Sequence, residues 1–492
     1  MNKINIYFSD FFDVDKKIIE SYGAINISLI NDIPLFIDPF LLFNSEKKEY
    51  KQIHNEIIKY LLFLQSQAEY NNELTRGMMQ SWYLFSEVKQ TWLGFSLEGN
   101  HGNGLGKTFA CNLFNGLKSI FLNFGKEQIT KGQHLEKLCL ISPKVGRDKI
   151  SDFTTNFTKE YILKYTQVFA EKYLDKSKCK YFSVPKVRFN YETKTWTSMT
   201  FFLPCYKNDY VLLTPKDMLV RDETFINRSD MINNLESLAP SIEDEQLRFQ
   251  LNQYFTDILH KKRSELSKTE KDRIATILIE KNPEIIDYYI KSKEDNKKEA
   301  TSISKIEVDE VNALFNIQLQ ALAYLLEKNT DFYREESSSY EAAYNRVMYL
   351  KSVIEDMDGY RLFYLNGKQI KKETDLHILF RMVWYATKLD VNSEVNNGRG
   401  PVDYKISYGG KDSTLVEFKL ASNTKLRKNL ENQVEIYKKA NLTENAIKVI
   451  MFFSDTELNK VKRILKEIGL EDCRDIVLID ARSNKVSASN VE

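Results

Sequence analysis

The chain has 492 residues, 42% hydrophobic and 28% charged, a balance that belongs to globular proteins and not to fibrous or disordered ones. Seventy basic residues against sixty-nine acidic ones leave a net charge of +1. That excludes a surface built to hold nucleic acid all round and confines any phosphate contact to a local patch. The length exceeds one comfortable core, so two or three domains are expected.

Residues 1–230 read as a mixed α/β domain with a recognition or sensing role. Its N-terminus, MNKINIYFSDFFDVDKK, lacks the basic-then-apolar order of a signal peptide. Short apolar runs predict strands at Ile25–Ile30, Leu35–Ile37, Leu138–Ile141 and Tyr210–Leu213, with helices at Tyr50–Gln67 and Asn156–Tyr173. Asp32 and Asp38 flank one such run as turn formers. Ser151 or Asp152 is the expected N-cap of the second helix, although Asp148 and Asp152 also stand at the i, i+4 spacing of a ligand pair. The segment GNHGNGLGKT ends in Gly106-Lys107-Thr108 but has His101 where a P-loop requires glycine. A flexible turn is the first reading of Gly104, Gly106, Lys107 and Thr108, and a phosphate-binding loop over 102–108 the second.

Residues 231–360 are almost free of glycine and proline and carry apolar positions three and four apart, which predicts a helical linker region. Within it KSKEDNKKEATSIS, Lys291–Ser304, reads as a polar surface loop.

Residues 361–492 alternate regularly. A helix at Asp375–Lys388 is followed by strands at Val391–Val395, Val402–Tyr408 and Thr414–Leu420. A helix at Leu426–Ala440, a strand at Ala446–Phe453, a helix at Asp455–Ile468 and a strand at Asp475–Ile479 complete a helix-flanked sheet. The fold class is therefore α/β, multidomain. The five cysteines (Cys111, Cys139, Cys179, Cys205, Cys473) form no C-x-x-C pair, against structural zinc or a disulfide framework. No apolar run approaches the ~18 residues of a bilayer span. A cytoplasmic protein without a membrane partner is expected.

The chemistry gathers in GRGPVDYKIS…TLVEFKLAS…NQVEIYKKA. Glu417 and Lys419, two apart on a strand, share one face, while Val416 and Phe418 take the other. Asp403 lies on the preceding strand across a glycine-containing turn, so pairing brings its carboxylate beside Glu417. Two carboxylates and a backbone carbonyl suit Mg²⁺, with Asp403 and Glu417 as its ligands. Lys419 would orient the attacking water or offset charge on a phosphate. Gln433 and Tyr437 share a helix face and are placed to hold a phosphate or a nucleic-acid backbone. They also suit a surface polar residue and a core tyrosine. Between Asn396 and Ala440 nine Lys/Arg against five Asp/Glu give a local excess of 9 − 5 = +4, with Lys425, Arg427 and Lys428 clustered after the third strand as candidate nucleic-acid contacts. The five histidines form no metal-binding spacing and read as surface or core residues without catalytic work.

The ordered set Asp403, Glu417-x-Lys419 and Gln433-x-x-x-Tyr437 resembles the PD-(D/E)XK, or restriction-endonuclease-like, nuclease superfamily, and its Q-x-x-x-Y element resembles the RecB-like branch. Gly400-Pro401-Val402-Asp403 departs from the family pattern by one residue inserted between proline and aspartate. The resemblance covers about the last quarter of the chain. It implies an α-β-β-β-α-β core and a Mg²⁺-dependent phosphodiesterase in which Mn²⁺ can replace Mg²⁺, usually a deoxyribonuclease. It also implies a further acid from the preceding helix or strand, for which Glu394 is favoured over Glu373 by its nearness to Gly398–Asp403. By analogy, such domains joined to large unassigned regions serve in restriction or anti-phage defence, as homo-oligomers or with a partner protein. The alternatives are a catalytically silent nucleic-acid-binding or scaffolding module of the same fold, and an NTP-regulated nuclease working through residues 102–108.

Overall fold

The computed structural model describes residues 6–94, 105–119, 127–141, 145–221, 223–238, 242–249, 281–333, 338–384, 389–396, 401–408, 412–433 and 445–484, with a few isolated positions besides. It is a mixed α/β, multidomain chain containing several small sheets.

In the first part, strand β1 (Phe36–Ile37) pairs antiparallel with β5 (Leu219–Val220). A long hairpin of β2 (Cys179–Asn190) and β3 (Thr195–Tyr206), extended by β4 (Asp209–Tyr210), packs on two long helices. Helix α1 (Lys48–Tyr70) carries a buried stripe of Ile53, Ile57, Leu61 and Leu64 at helical spacing. Helix α3 (Arg147–Tyr173) lies across β2 and β3. Between them Tyr60, Phe85, Phe157, Phe189 and Trp196 form an aromatic cluster with ring centroids 4.8–6.0 Å apart.

Three local expectations are corrected here. Ile25–Ile30 forms only isolated bridges, Tyr7 to Ser28 and Ala24 to Pro215 beside it, and no strand ladder. Leu138–Ile141 belongs to a one-turn helix, Lys137–Ile141, because a four-residue apolar run has no period that separates strand from helix. The long helix opens at Gly146, so Ser151 and Asp152 lie inside it and cap nothing. Ser151 Oγ instead accepts the Ile37 N–H at 2.9 Å, tying the helix to β1. Asp38 does act at a turn: it caps the short helix Pro39–Asn44 and also accepts the Phe225 N–H at 2.7 Å.

The middle region is helical, with α4 (Glu284–Asp295), α5 (Lys297–Val311), a π-helical segment Asn312–Gln318, α6 (Leu319–Asn329) and α7 (Ser339–Asp356). The polar stretch Lys291–Ser304 is not a loop; it is the end of α4 and the start of α5. Glu294, Ala300 and Ser304 face inward. The polar composition misleads because the Glu294 carboxylate is satisfied internally, accepting from Lys131 N, Gly132 N and His134 Nε2 at 2.7–3.1 Å. Apolar residues of these helices join one continuous core with both flanking regions.

The C-terminal part follows the expected order. After α8 (Glu373–Trp384) come β6 (Asp390–Asn396), β7 (Pro401–Tyr408), β8 (Asp412–Leu420), β9 (Asn445–Phe452), α9 (Asp455–Glu467) and β10 (Ile476–Asp480). They build a five-stranded sheet in the order β10-β9-β8-β7-β6, antiparallel among β6, β7 and β8 and parallel from β8 to β10. α8 packs on the face that carries Tyr404 and Phe418, through Phe380 at 5.1 and 4.5 Å. α7 is fastened to the same sheet by Tyr340 to Asp475 and Lys351 to the Leu478 carbonyl. A second, smaller core of Leu426, Leu430, Ile450, Val461 and Leu465 lies under α9. Of the expected helix Leu426–Ala440, the described part is Leu426–Lys428 running into a π-helical turn, Asn429–Gln433. No helix among the described residues is long and apolar enough to cross a membrane.

Candidate active site

The geometry starts where β7 leaves β8. The antiparallel register runs from Asp412 opposite Tyr408 to Val416 opposite Tyr404 and then stops, while β7 continues beside β6 through Pro401. One more step of that register would set Asp403 opposite Glu417. Because the ladder ends there, the backbone groups of β8 on that flank need other partners. Asp403 Oδ2 accepts the Phe418 N–H at 2.7 Å, His377 Nε2 lies 3.4 Å from the Phe418 carbonyl, and Glu373 Oε1 accepts the Leu420 N–H at 3.2 Å. Three side chains from α8 and β7 thus replace a missing strand, and in doing so converge on one point.

At that point charges meet in a largely dry setting. Asp403 and Glu417 are 8% and 5% exposed. Asp403 Oδ2 lies 3.1 Å from His377 Nε2 and 3.4 Å from Lys419 Nζ, and Lys419 Nζ lies 3.8 Å from Glu373 Oε2. His377 Nε2 faces two acceptors, so that nitrogen carries the proton. Burial works against ionising Asp403, but the charge and hydrogen bond of His377, then Lys419 and the Phe418 amide, outweigh it and hold the carboxyl below its usual range. Burial likewise disfavours the cations of His377 and Lys419, yet Asp403 above all raises both. Glu417 goes the other way. Burial first, and the negative charge of Asp403 second, push it up to about 7. No donor among the described residues hydrogen-bonds its carboxylate, and its neighbours act on it by charge alone. Two carboxylates of one site are thereby driven apart in acidity.

The structure sets Asp403, Glu417 and Lys419 side by side, and Glu373 of α8 reaches Lys419 as a third acid. Glu394 lies on β6, but its side chain falls outside the described residues, as do the side chain of Gln433 and the whole of Tyr437. Two participants were missed. His377 sits one helical turn after Glu373 on α8, and that i, i+4 spacing was the available signal. Lys448 is the register partner of Glu417 on β9, buried, with Nζ donating to the Leu430 carbonyl at 2.7 Å. Its sign was a lysine inside the apolar run Ala446–Phe453.

Of the proposed phosphate contacts, Lys425 and Lys428 are exposed. Arg427 is engaged internally, with Glu431 at 2.9 Å and Glu467 at 2.5 Å. Gly104 lies outside the described residues. Gly106 precedes helix α2 (Lys107–Ser119), which Lys107 opens, and Lys107 and Thr108 are exposed.

The oxygen donors suit a hard divalent cation: two carboxylates and the Phe418 carbonyl. The Glu417 carboxylate, which accepts no hydrogen bond among the described residues and is raised by Asp403, is the feature of this site that such an ion would satisfy. As the side chains stand, Lys419 and His377 already neutralise Asp403. Among the described residues no three His, Cys, Asp or Glu groups are set at distances that hold a metal.

Residues 13–227 match the family model Domain of unknown function (DUF8370), and residues 339–455 match Domain of unknown function (DUF8371). No curated protein and no solved structure matches the chain.

Proposed function

We propose that the chain is a metal-dependent phosphodiesterase acting on nucleic acid, DNA in the first instance, whose C-terminal part is a restriction-endonuclease-like domain. The observation that carries the reading is Glu417: a carboxylate on a buried strand residue that accepts no hydrogen bond among the described residues, facing Asp403 and beside Lys419. Two acids set side by side repel, and a cation between them relieves that repulsion. Asp403, Glu417 and the Phe418 carbonyl would hold Mg²⁺, or Mn²⁺ in its place. When bound, that ion polarises a phosphoryl oxygen and lowers the pKa of a water. Lys419, fixed between Asp403 and Glu373, supplies positive charge where the phosphate becomes more negative. Lys425 and Lys428 supply exposed charge for the backbone of the substrate.

One observation favours a second reading, a nucleic-acid-binding module without cleavage. Lys419 and His377 balance Asp403 in the absence of metal, and a site neutral at rest does not require an ion to fold. Incubation of the full chain with supercoiled plasmid, linear duplex, single-stranded DNA and RNA separates the two. Each substrate is offered Mg²⁺, Mn²⁺ or EDTA, with Glu417→Ala as control. Metal-dependent cutting lost in the variant is expected. Binding of these substrates without cutting by wild type would overturn the enzyme reading and leave the module.

A further inference from the structure

The helix that presents Glu373 and His377 is held from behind by the first domain. Glu373 and His377, four apart, share the face of α8 turned to β8, while Asp375, midway between them, points the opposite way. There the Arg221 guanidinium pairs with the Asp375 carboxylate, Nη2 to Oδ1. Both side chains are buried, 7% and 5% exposed. Arg221 is the residue immediately after β5, the strand that pairs with β1 of the first domain.

Arg221 is itself fixed from other directions. Its backbone N–H donates to Glu307 Oε2 of α5 at 2.5 Å, and Nη1 lies 3.9 Å from Glu310 Oε2. One turn earlier on α5, Ser304 Oγ donates to the Leu219 carbonyl at 2.7 Å and holds β5 in place. The far half of α8 is secured separately, by Phe380 on Phe418 and by Arg346 over the Trp384 ring at 4.8 Å. The N-terminal half of α8, which bears both site residues, is thus tied to the first domain by this ion pair and to the sheet by the Tyr404 hydroxyl, which donates to the His377 carbonyl.

We propose that Arg221 is a positioning residue for the candidate active site. Through Asp375 it sets the first turn of α8, so that Glu373 and His377 reach Lys419 and Asp403 only when the first domain is docked. This rests on the phosphodiesterase reading. It assigns the first domain and α5 a control function: any event that shifts β5 or α5 is passed to the site through one buried pair. A guanidinium suits the task because its planar fork holds a carboxylate and leaves a further N–H for a second acid.

The test compares wild type, Arg221→Gln, Arg221→Lys, the isosteric Asp375→Asn, and Glu310→Gln, which removes the half-exposed acid 3.9 Å from the same arginine. All are full-length chains, checked by thermal melting. Two readouts are taken: amide hydrogen exchange across residues 373–380, and single-turnover cleavage at saturating substrate with the substrate Kd measured separately. Arg221→Gln and Asp375→Asn should speed exchange in that turn and lower the cleavage rate by about tenfold to a hundredfold, as a misplacement of about 1 Å does, with Kd unchanged. Arg221→Lys keeps the charge but not the fork and should recover only part of the loss, and Glu310→Gln, which removes only the half-exposed acid 3.9 Å away, should change both readouts by less than about twofold. If Arg221→Gln is recovered unfolded, Asp375→Asn is read in its place. Unchanged exchange over 373–380 overturns the positioning role whatever the cleavage. So does faster exchange with a wild-type rate, and in that case the nuclease reading stands. An inert wild type instead removes the nuclease reading itself.

Discussion

Replacing the Glu417 carboxylate by its neutral isostere, Glu417→Gln, should make the metal-free protein more stable at alkaline pH. Burial and Asp403 move this carboxyl from 4.5 to about 7 in the fold. At about 1.4 kcal/mol per tenfold change in proton binding, ionising it in the folded state costs about 3 kcal/mol more than in the unfolded chain. The sign follows from which state holds the proton. Between pH 4.5 and 7 the folded chain binds more protons than the unfolded one, so this contribution is fully present below about 4.5 and is lost as pH rises through about 7. Glutamine has no proton to lose. At pH 8.5 in EDTA the variant should therefore melt above wild type, by roughly 6–12 °C at about 2–4 °C per kcal/mol for a domain of this size. At pH 5 the difference should nearly vanish. Saturating Mg²⁺ should close the gap at pH 8.5 by stabilising wild type alone. Thermal melts at pH 5, 7 and 8.5, with EDTA or Mg²⁺, test each step. A Glu417→Gln protein no more stable than wild type at pH 8.5, or a difference that ignores pH, would refute the argument.

The opposite sign holds for Asp403, whose carboxyl is kept below its usual range, so its stabilisation is present above about pH 4 and fades as pH falls through its folded value. Asp403→Ala leaves His377 and Lys419 buried without their anion and should cost about 3–5 kcal/mol near pH 7, read as a drop in urea midpoint that shrinks toward pH 3. Lys425→Ala with Lys428→Ala should flatten the log–log salt dependence of duplex binding by about 1–2, at about 0.9 per phosphate contact, whereas Arg427→Ala, already paired within the fold, should leave the slope unchanged. Gly106→Ala and Lys107→Ala should alter neither melting nor cleavage with or without ATP. A side chain added at 106 meets nothing within 4 Å, and the lysine is exposed. ATP-dependent cleavage lost in Lys107→Ala would restore the NTP-regulated reading.

Legibility in the sequence followed the range of the forces involved. The C-terminal sheet was readable because its strands alternate with a period of two, two glycines stand in the sequence between β7 and β8, and amphipathic helices separate the later strands. Asp403, Glu417 and Lys419 fell out of that periodicity. His377 did not, since its role depends on where β7 parts from β8, a tertiary event that frees the Phe418 carbonyl. A histidine on a helix announces this only through its i, i+4 spacing from an acid, a weak signal on its own. The stretch Lys291–Ser304 was misread for a related reason: Glu294 looks solvated until the Lys131–Gly132 backbone and His134 arrive to satisfy it. The β2–β3 hairpin went unnoticed because both strands are half-exposed and Pro185 and Pro204 interrupt them, which by local rules argues against a strand. In the structure the register shifts between Val184 and Arg188, around the first of these prolines.

The same protonation pattern bears on when the site can work. Glu417, offered to a divalent ion, holds its proton up to about 7. It must release that proton before it can act as a ligand, so metal binding and proton release are one equilibrium. From Glu417 alone, the ionised fraction rises about tenfold between pH 6 and pH 8, and the affinity for Mg²⁺ should rise by at least that factor. Calorimetric titration at pH 6, 7 and 8, repeated in buffers of different ionisation enthalpy, reads both the affinity and the protons released. The expected outcome is a net release near pH 7 that falls sharply in Glu417→Gln. An affinity flat across this range would mean that Glu417 is not a ligand. The site would then fit the binding module, in which Lys419 and His377 are the permanent counterions of Asp403.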